Sequence, residues 1–365
     1  MKICFLADAG SVHTQKWCRY FSGRGHEVHV ISFVNHDIEN TCVHYIDSGA
    51  TRSDADVKKL CYLMRAGEVR RLIQEIQPDI VNAHYASSYG TVAALAGLKH
   101  HVVSVWGSDI YEFPQKSFFH KILLSFAVNR AGFLFSTSQA MAIEASKYTK
   151  KPFTITPFGV DMELFSPAKR NRTDEAFVIG TVKGLKCIYG IDDLLRAAGI
   201  VHKKRSEIPL CIRIAGSGPD ESAFRSLAVV CGVAEITTWL GFITQEQAAR
   251  EWANMDLAVI PSLMESFGVA AVEAQACETP VIISDVPGLM EATNPGVSSL
   301  VIPKKDPEAL ANAIISLYEQ PEKRREMGKA GRRYMLEHYE LDRCFQDVET
   351  LFEKLRAEAQ KDCPK

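Results

Sequence analysis

Two carboxylates, Glu265 and Glu273, stand with seven residues between them in "PSLMESFGVAAVEAQACETPVIISD", residues 261–285, a stretch made mostly of small and apolar side chains. "LAVIPS" before them has the composition of a buried strand, and "GVAAVEAQAC" that of the helix that follows. Glu265 then lies on the loop at the strand's carboxyl end and Glu273 about two turns into the helix. The first N–H groups of such a helix, from Ser266 and Phe267 through Gly268 and Val269 to Ala270, point out of it without intrahelical partners. The helix dipole makes that end a place for a phosphate. A carboxylate further along can accept hydrogen bonds from paired hydroxyls. Phosphate at the amides and ribose at Glu273 outline a nucleotide.

Cations add to this. After the strand-like "AFVIGTV" comes "KGLKCIYGIDDLLRAA", which supplies Lys183 and Lys186 ahead of Gly190. Two lysines near a diphosphate would stabilise the charge that develops when it leaves. At the other end of the chain, "LADAGSVHTQKW" puts Gly10 and Ser11 in the first strand–helix loop, where a missing side chain lets a ligand approach the backbone, or simply makes a tight turn. His84, Trp106 and Asp109 end two further strand patterns, "DIVNAHY" and "VVSVWGSD", and His84 and His13 are the histidines left as candidates there. His84 and Asp109 are the N-terminal candidates for catalysis.

These residues need strands and helices to hold them, and the chain has the rhythm that supplies both. "KICFLAD", "HEVHVISF", "DIVNAHY", "HVVSVWG" and "GFLFSTS" alternate with amphipathic segments, as βαβ units do. From Ala176 the rhythm recurs in "AFVIGTV", "LCIRIAG", "EITTWLG", "LAVIPS" and "TPVIISD". At 365 residues, 47% of them hydrophobic, the chain is long enough for two such domains. The polar, proline-containing stretch 157–176 reads as their linker. The expected division is therefore an N-terminal domain over 1–165 and a C-terminal one over 166–342, with a helix at 343–362 that can pack back on the first. Ligands of doubly wound sheets bind outside the carboxyl ends of the strands.

Taken together, these segments resemble the retaining nucleotide-sugar glycosyltransferases of family four. Their E-x-seven-E motif is matched by Glu265 and Glu273 and runs on in "EAQACETPVI", while "GRGHEVHVIS", "PDIVNAHY", "VWGSD", "SQAM", "PFGVD", "AGSGPDES" and "WLGFI" follow in family order. The resemblance implies the α/β GT-B architecture, two Rossmann-like doubly wound domains facing across a cleft, with donor on the C-terminal domain and acceptor on the N-terminal one. It implies that Glu273 holds the ribose, that Glu265 touches sugar hydroxyls near the reacting carbon, and that Lys183 meets the diphosphate. The chain departs from the family at the second lysine, since Ile188 and Tyr189 precede Gly190, and at Trp106, where many members carry a histidine.

The expected activity is that of a retaining hexosyltransferase that takes a sugar from a UDP- or GDP-sugar to an acceptor hydroxyl, in the synthesis of cell-surface polysaccharide or glycolipid. The nucleotide sugar is a co-substrate; no cofactor and no metal are expected. A nucleotide-sugar epimerase of the same architecture, or a non-catalytic subunit that binds nucleotide sugar, are the alternatives.

Composition bounds the partners. A formal net charge of −2 argues against bulk nucleic-acid binding. No apolar run reaches the ~18 residues of a membrane span, and "MKICFLADAG" reads as a first strand, so the expected location is the cytoplasm. Ten cysteines without a C-x-x-C pair read as reduced small apolar residues with no metal assigned. The triplet Asp54–Asp56 reads as helix capping. Two helices concentrate cations: Lys58, Lys59, Arg65, Arg70 and Arg71 in one, and Lys116, Lys121 and Arg130 among Phe118, Phe119, Ile122, Leu123 and Phe126 in the other. These are either solvated faces of core helices or a peripheral contact with the anionic inner membrane surface, where a lipid-linked acceptor would lie.

Overall fold

The computed structural model describes residues 1–50, 60–173 and 175–361. The chain divides into two compact units, Met1–Phe158 with Asp342–Lys365, and Gly159–Leu341.

Among the described residues the first unit holds a seven-stranded sheet: β1 (Lys2–Leu6), β2 (Glu27–Ser32), β3 (Cys42–Tyr45), β4 (Ile80–His84), β5 (Val102–Val105), β6 (Phe133–Ser136) and β7 (Phe153–Ile155). Its order is β3-β2-β1-β4-β5-β6-β7, every pairing parallel. The second unit holds β8 (Phe177–Val182), β9 (Leu210–Ala215), β10 (Thr237–Gly241), β11 (Leu257–Ile260), β12 (Val281–Ser284) and β13 (Ser299–Ile302), ordered β10-β9-β8-β11-β12-β13 and again parallel. Strand order reverses between β1 and β4 in one sheet and between β8 and β11 in the other. Such switch points open a crevice at the carboxyl ends of the strands.

Central strands are buried on both faces, as Phe5, Val103, Ile179 and Val259 show, which explains their near-continuous apolar runs. The helix Leu341–Lys361 places Phe345 and Phe352 against Trp17 and Phe21 of the first unit, with ring centroids 5.5 to 6.3 Å apart, and Phe352 stacks on Phe135.

The stretch 157–176 is not a free linker. Phe158, Val160, Met162 and Phe165 are buried, Val160 N–H donates to Tyr339 O at 2.7 Å, and the Arg332 guanidinium donates to Phe165 O and Met162 O. The change of unit falls at Phe158–Gly159. Four apolar side chains spaced two or three apart give no regular period, yet each fills a core position.

Candidate active site

In the second unit, Lys183 follows β8 and Glu265 lies in the loop after β11, on the two strands that flank the switch point. Their side chains form an ion pair, Lys183 Nζ to Glu265 Oε1, and the same oxygen accepts a hydrogen bond from Ser262 Oγ at 3.1 Å. Lys183 Nζ also stands 4.5 Å from the centre of the Tyr189 ring, a cation–π contact. A lysine held on one side by a carboxylate and on the other by a ring is a positioned cation.

The loops that carry the pair are fixed by close backbone approach. Leu263 N–H donates to Ile188 O at 2.8 Å, and a Cβ on Gly190 would overlap Pro261 O. Gly190 also has φ +67°, so two reasons require glycine before the helix Ile191–Lys204. A Cβ on Gly288 would overlap Glu265 O, so the helix Pro287–Ala292 braces the loop from behind.

The helix Val269–Ala276 begins directly after that loop, with Gly268 at its N-cap. Its amino end therefore opens beside the Lys183–Glu265 pair. On the same helix, half-buried Glu273 accepts a hydrogen bond from Trp252 Nε1 at 3.3 Å, and Trp252 itself is fully buried. Glu273 is thus oriented by the core rather than loose on a solvated face.

The first unit builds a different site at its own switch point. Asp109 is buried, and its carboxylate accepts from Ala86 N–H at 2.9 Å, Gly107 N–H at 2.9 Å and Trp106 N–H at 3.2 Å. Burial raises its pKa and those backbone bonds oppose the rise. The carboxylate ties the loop after β4 to the loop after β5. Asp109 thus clamps these two loops together.

His84 ends β4 with both ring nitrogens buried and without a hydrogen-bond partner among the described residues, its ring 4.1 Å from the centre of Trp106. Burial, then the charge of His13, lowers its pKa to about 3. His13, stacked on Phe158 at 4.2 Å, is lowered to about 4 by burial and then by Lys16. Both imidazoles are neutral near pH 7 and are weak bases. The chain turns immediately after His84, with Tyr85 at φ +66° and a π-helical turn over Tyr85–Gly90. That turn walls a cavity of about 270 Å³ with Asp8, Ser87, Ser88, Glu112, Lys116 and His120 among its lining.

Residues 2–138 match the family described as glycosyl transferase 4-like, and residues 163–334 match glycosyl transferases group 1. The D-inositol 3-phosphate glycosyltransferase of Arthrobacter sp. strain FB24 is 28% identical over 334 residues, 81% of this chain and 76% of that one. The chain belongs to glycosyltransferase family four. The backbone is similar to sucrose-phosphate synthase from Thermosynechococcus elongatus, with a TM-score of 0.86 at 19% identity over 98% of this chain and all of that one. Anabaena HepE, solved in complex with UDP-glucose, follows at a TM-score of 0.79 and 18% identity over 97% of this chain and 100% of that chain. The fold of this glycosyltransferase is GT-B.

The structure brings Lys183, Glu265, Ser266, Phe267, Gly268 and Val269 into one loop cluster, with Glu273 on the helix that leaves it. Lys186 is exposed and acts on Asp220, whose carboxylate accepts from Cys187 N–H at 2.7 Å. The N–H of Gly10 donates to Asp8 Oδ1 at 2.8 Å, which closes a turn in the loop after β1. Ser262, Tyr189 and Trp252 were missed as contributors. Ser262 had a signal, since a hydroxyl three residues before a loop carboxylate can reach it; Tyr189 and Trp252 had none at short range. Lys58, Lys59 and Asp54–Asp56 lie outside the described residues.

Proposed function

We propose that this glycosyltransferase is a retaining hexosyltransferase that moves a sugar from a UDP- or GDP-sugar to an acceptor hydroxyl in the synthesis of surface polysaccharide or glycolipid. The observation that carries the reading is the convergence of Lys183, Glu265 and Ser262 at the second sheet's switch point, beside the amino end of the helix bearing Glu273. Lys183 exchanges its Glu265 partner for the donor diphosphate and stabilises it as it leaves. The amides of Ser266 to Val269 receive the phosphate oxygens. Glu273, aimed by Trp252, takes the ribose hydroxyls, and Glu265, released from the lysine, orients the sugar. The acceptor attacks from the face the diphosphate leaves, so no protein nucleophile and no metal are required.

A UDP donor is supported by Anabaena HepE, which binds UDP-glucose. The acceptor belongs to the first unit, where the cavity walled by the Tyr85–Gly90 turn offers hydroxyls, carboxylates and a lysine suited to a polyhydroxylated ligand. His84, buried just before that turn, is a neutral ring.

A peripheral membrane contact is favoured by the helix Phe118–Arg130. Phe118, Phe119 and Ile122 are 78%, 53% and 49% exposed, beside exposed Lys116, Lys121 and Arg130. These apolar residues are not a core stripe; that role belongs to Leu124, Ala127 and Val128. No helix among the described residues is long and apolar enough to cross a membrane.

The test is a thermal-shift screen of UDP, GDP and ADP with their sugars, followed by incubation of the best donor with and without lipid-linked and soluble saccharide acceptors. A donor that stabilises the protein and yields the nucleoside diphosphate and an α-configured product from an α-donor sustains the reading. Formation of an epimer without acceptor, or binding without any turnover or slow hydrolysis, overturns it.

A further inference from the structure

We propose that His29, Cys42 and His44 form a site for a divalent transition ion, zinc being the ion it takes. The site lies at one edge of the first sheet. In the parallel register of β2 and β3, His29 stands directly beside Cys42, and His44 two residues on projects from the same face as Cys42. One ligand atom from each of the three residues lies within 4.8 Å of the other two. His29 Nδ1 and His44 Nε2 are 3.0 Å apart, in rings stacked at 5.3 Å and 16°. Tetrahedral zinc with its usual Zn–N bonds holds two nitrogens about 3.3 Å apart, so a shift of a few tenths of an ångström admits the ion.

The surrounding hydrogen bonds favour this use. Glu27 Oε1, which only accepts, lies 3.0 Å from His29 Nε2 and so keeps the ring proton there. His29 Nδ1 is left with its lone pair toward His44. A carboxylate that orients a histidine through its far nitrogen is the usual outer support of a metal ligand. Glu27 is itself held by Lys2 Nζ at 3.1 Å. On binding, the ion takes the place between the rings now held by the His44 Nε2 proton; that proton moves to Nδ1 by tautomerisation, and the Cys42 thiol loses its proton to solvent. Two imidazoles and a thiolate select zinc or its neighbours over magnesium or calcium. Cys42 is exposed, so water completes the coordination. The ion would staple edge strand β3 to β2.

The experiment titrates cobalt(II), then zinc, into chelator-treated full-length protein and follows the absorption spectrum. One equivalent of cobalt should give tetrahedral visible bands and a near-ultraviolet thiolate-to-cobalt band, both displaced by zinc. Cys42→Ser, at an exposed position, should abolish the thiolate band while weaker visible bands remain. His44→Ala should weaken binding at least 100-fold, and Glu27→Gln about 10–100-fold. Folding of each variant is checked by circular dichroism. A thiolate band that survives Cys42→Ser would assign the metal to another cysteine and overturn the proposal, as would an octahedral cobalt spectrum or affinity unchanged in His44→Ala.

Discussion

The ion pair between Lys183 and Glu265 yields a prediction with unequal arms. The two side chains are 14% and 8% exposed, so each is largely removed from water. Breaking a buried pair by removing one partner costs about 3–5 kcal/mol, because a charge is left uncompensated. Lys183→Met leaves Glu265 the hydrogen bond from Ser262 Oγ, and we expect a loss near the lower limit, about 3 kcal/mol. Glu265→Gln leaves a lysine that keeps the Tyr189 ring and can swing toward solvent, so we expect about 1 kcal/mol. The double variant removes both charges and should cost little more than Glu265→Gln alone, about 3 kcal/mol less than the two single losses together. For a domain of this size, Lys183→Met corresponds to a melting shift of about 6–12 °C.

The assay is urea denaturation followed by tryptophan fluorescence, with calorimetry of UDP and uridine on each folded variant. Lys183→Met should weaken UDP by about 1.5–3 kcal/mol and leave uridine binding unchanged, because its proposed partner is the diphosphate. Additive stability losses, or equal losses of UDP and uridine affinity, would refute the account of a buried cation poised between a carboxylate and a diphosphate.

Glu273→Ala should both weaken UDP and destabilise the second unit by about 1–3 kcal/mol, since the buried Trp252 indole N–H loses its acceptor; Glu273→Gln should restore most of the stability but not the affinity, as calorimetry and denaturation will tell. Gly288→Ala should keep the fold near native while turnover drops about 100-fold, because a Cβ there pushes on the Glu265 backbone; unchanged turnover in a donor-saturated assay would show that the loop position is not critical. Stability should fall on acidification from about pH 6.5: His84 is neutral in the folded chain down to about pH 3 but protonates in the unfolded chain below 6.5, so it contributes a slope of about 1.4 kcal/mol per pH unit in that window. Denaturation curves of His84→Leu between pH 4 and 7 should be flatter by that amount.

The parts of the fold that were legible are those whose signal is local. Central strands such as β1, β8 and β11 are buried on both sides and read as apolar runs; β3, β7 and β13 are edge strands of three or four residues, only partly buried, and left no run to read. The same reason hid the His29–Cys42–His44 cluster, which exists only once β3 is paired with β2. The loop after β11 and its helix were legible because a glycine, a strand end and two carboxylates lie within a dozen residues.

Lys183 and Glu265 were both singled out, yet as separate contacts, one for the diphosphate and one for the sugar. Their 82-residue separation says nothing about distance. It is the sheet order, β8 beside β11, that turns them into neighbours, and sheet order is a property of packing rather than of either segment. The consequence is chemical as well as geometric. In the proposed function the donor diphosphate draws Lys183 away from Glu265, and the freed carboxylate becomes available to the sugar in the same step. Glu265→Gln should then strengthen the binding of UDP, which carries no sugar, while lowering turnover of the UDP-sugar. A variant that binds UDP more weakly than the native chain would mean that Glu265 holds Lys183 in position for the diphosphate instead of competing with it, and the two outcomes separate cleanly in one calorimetric titration.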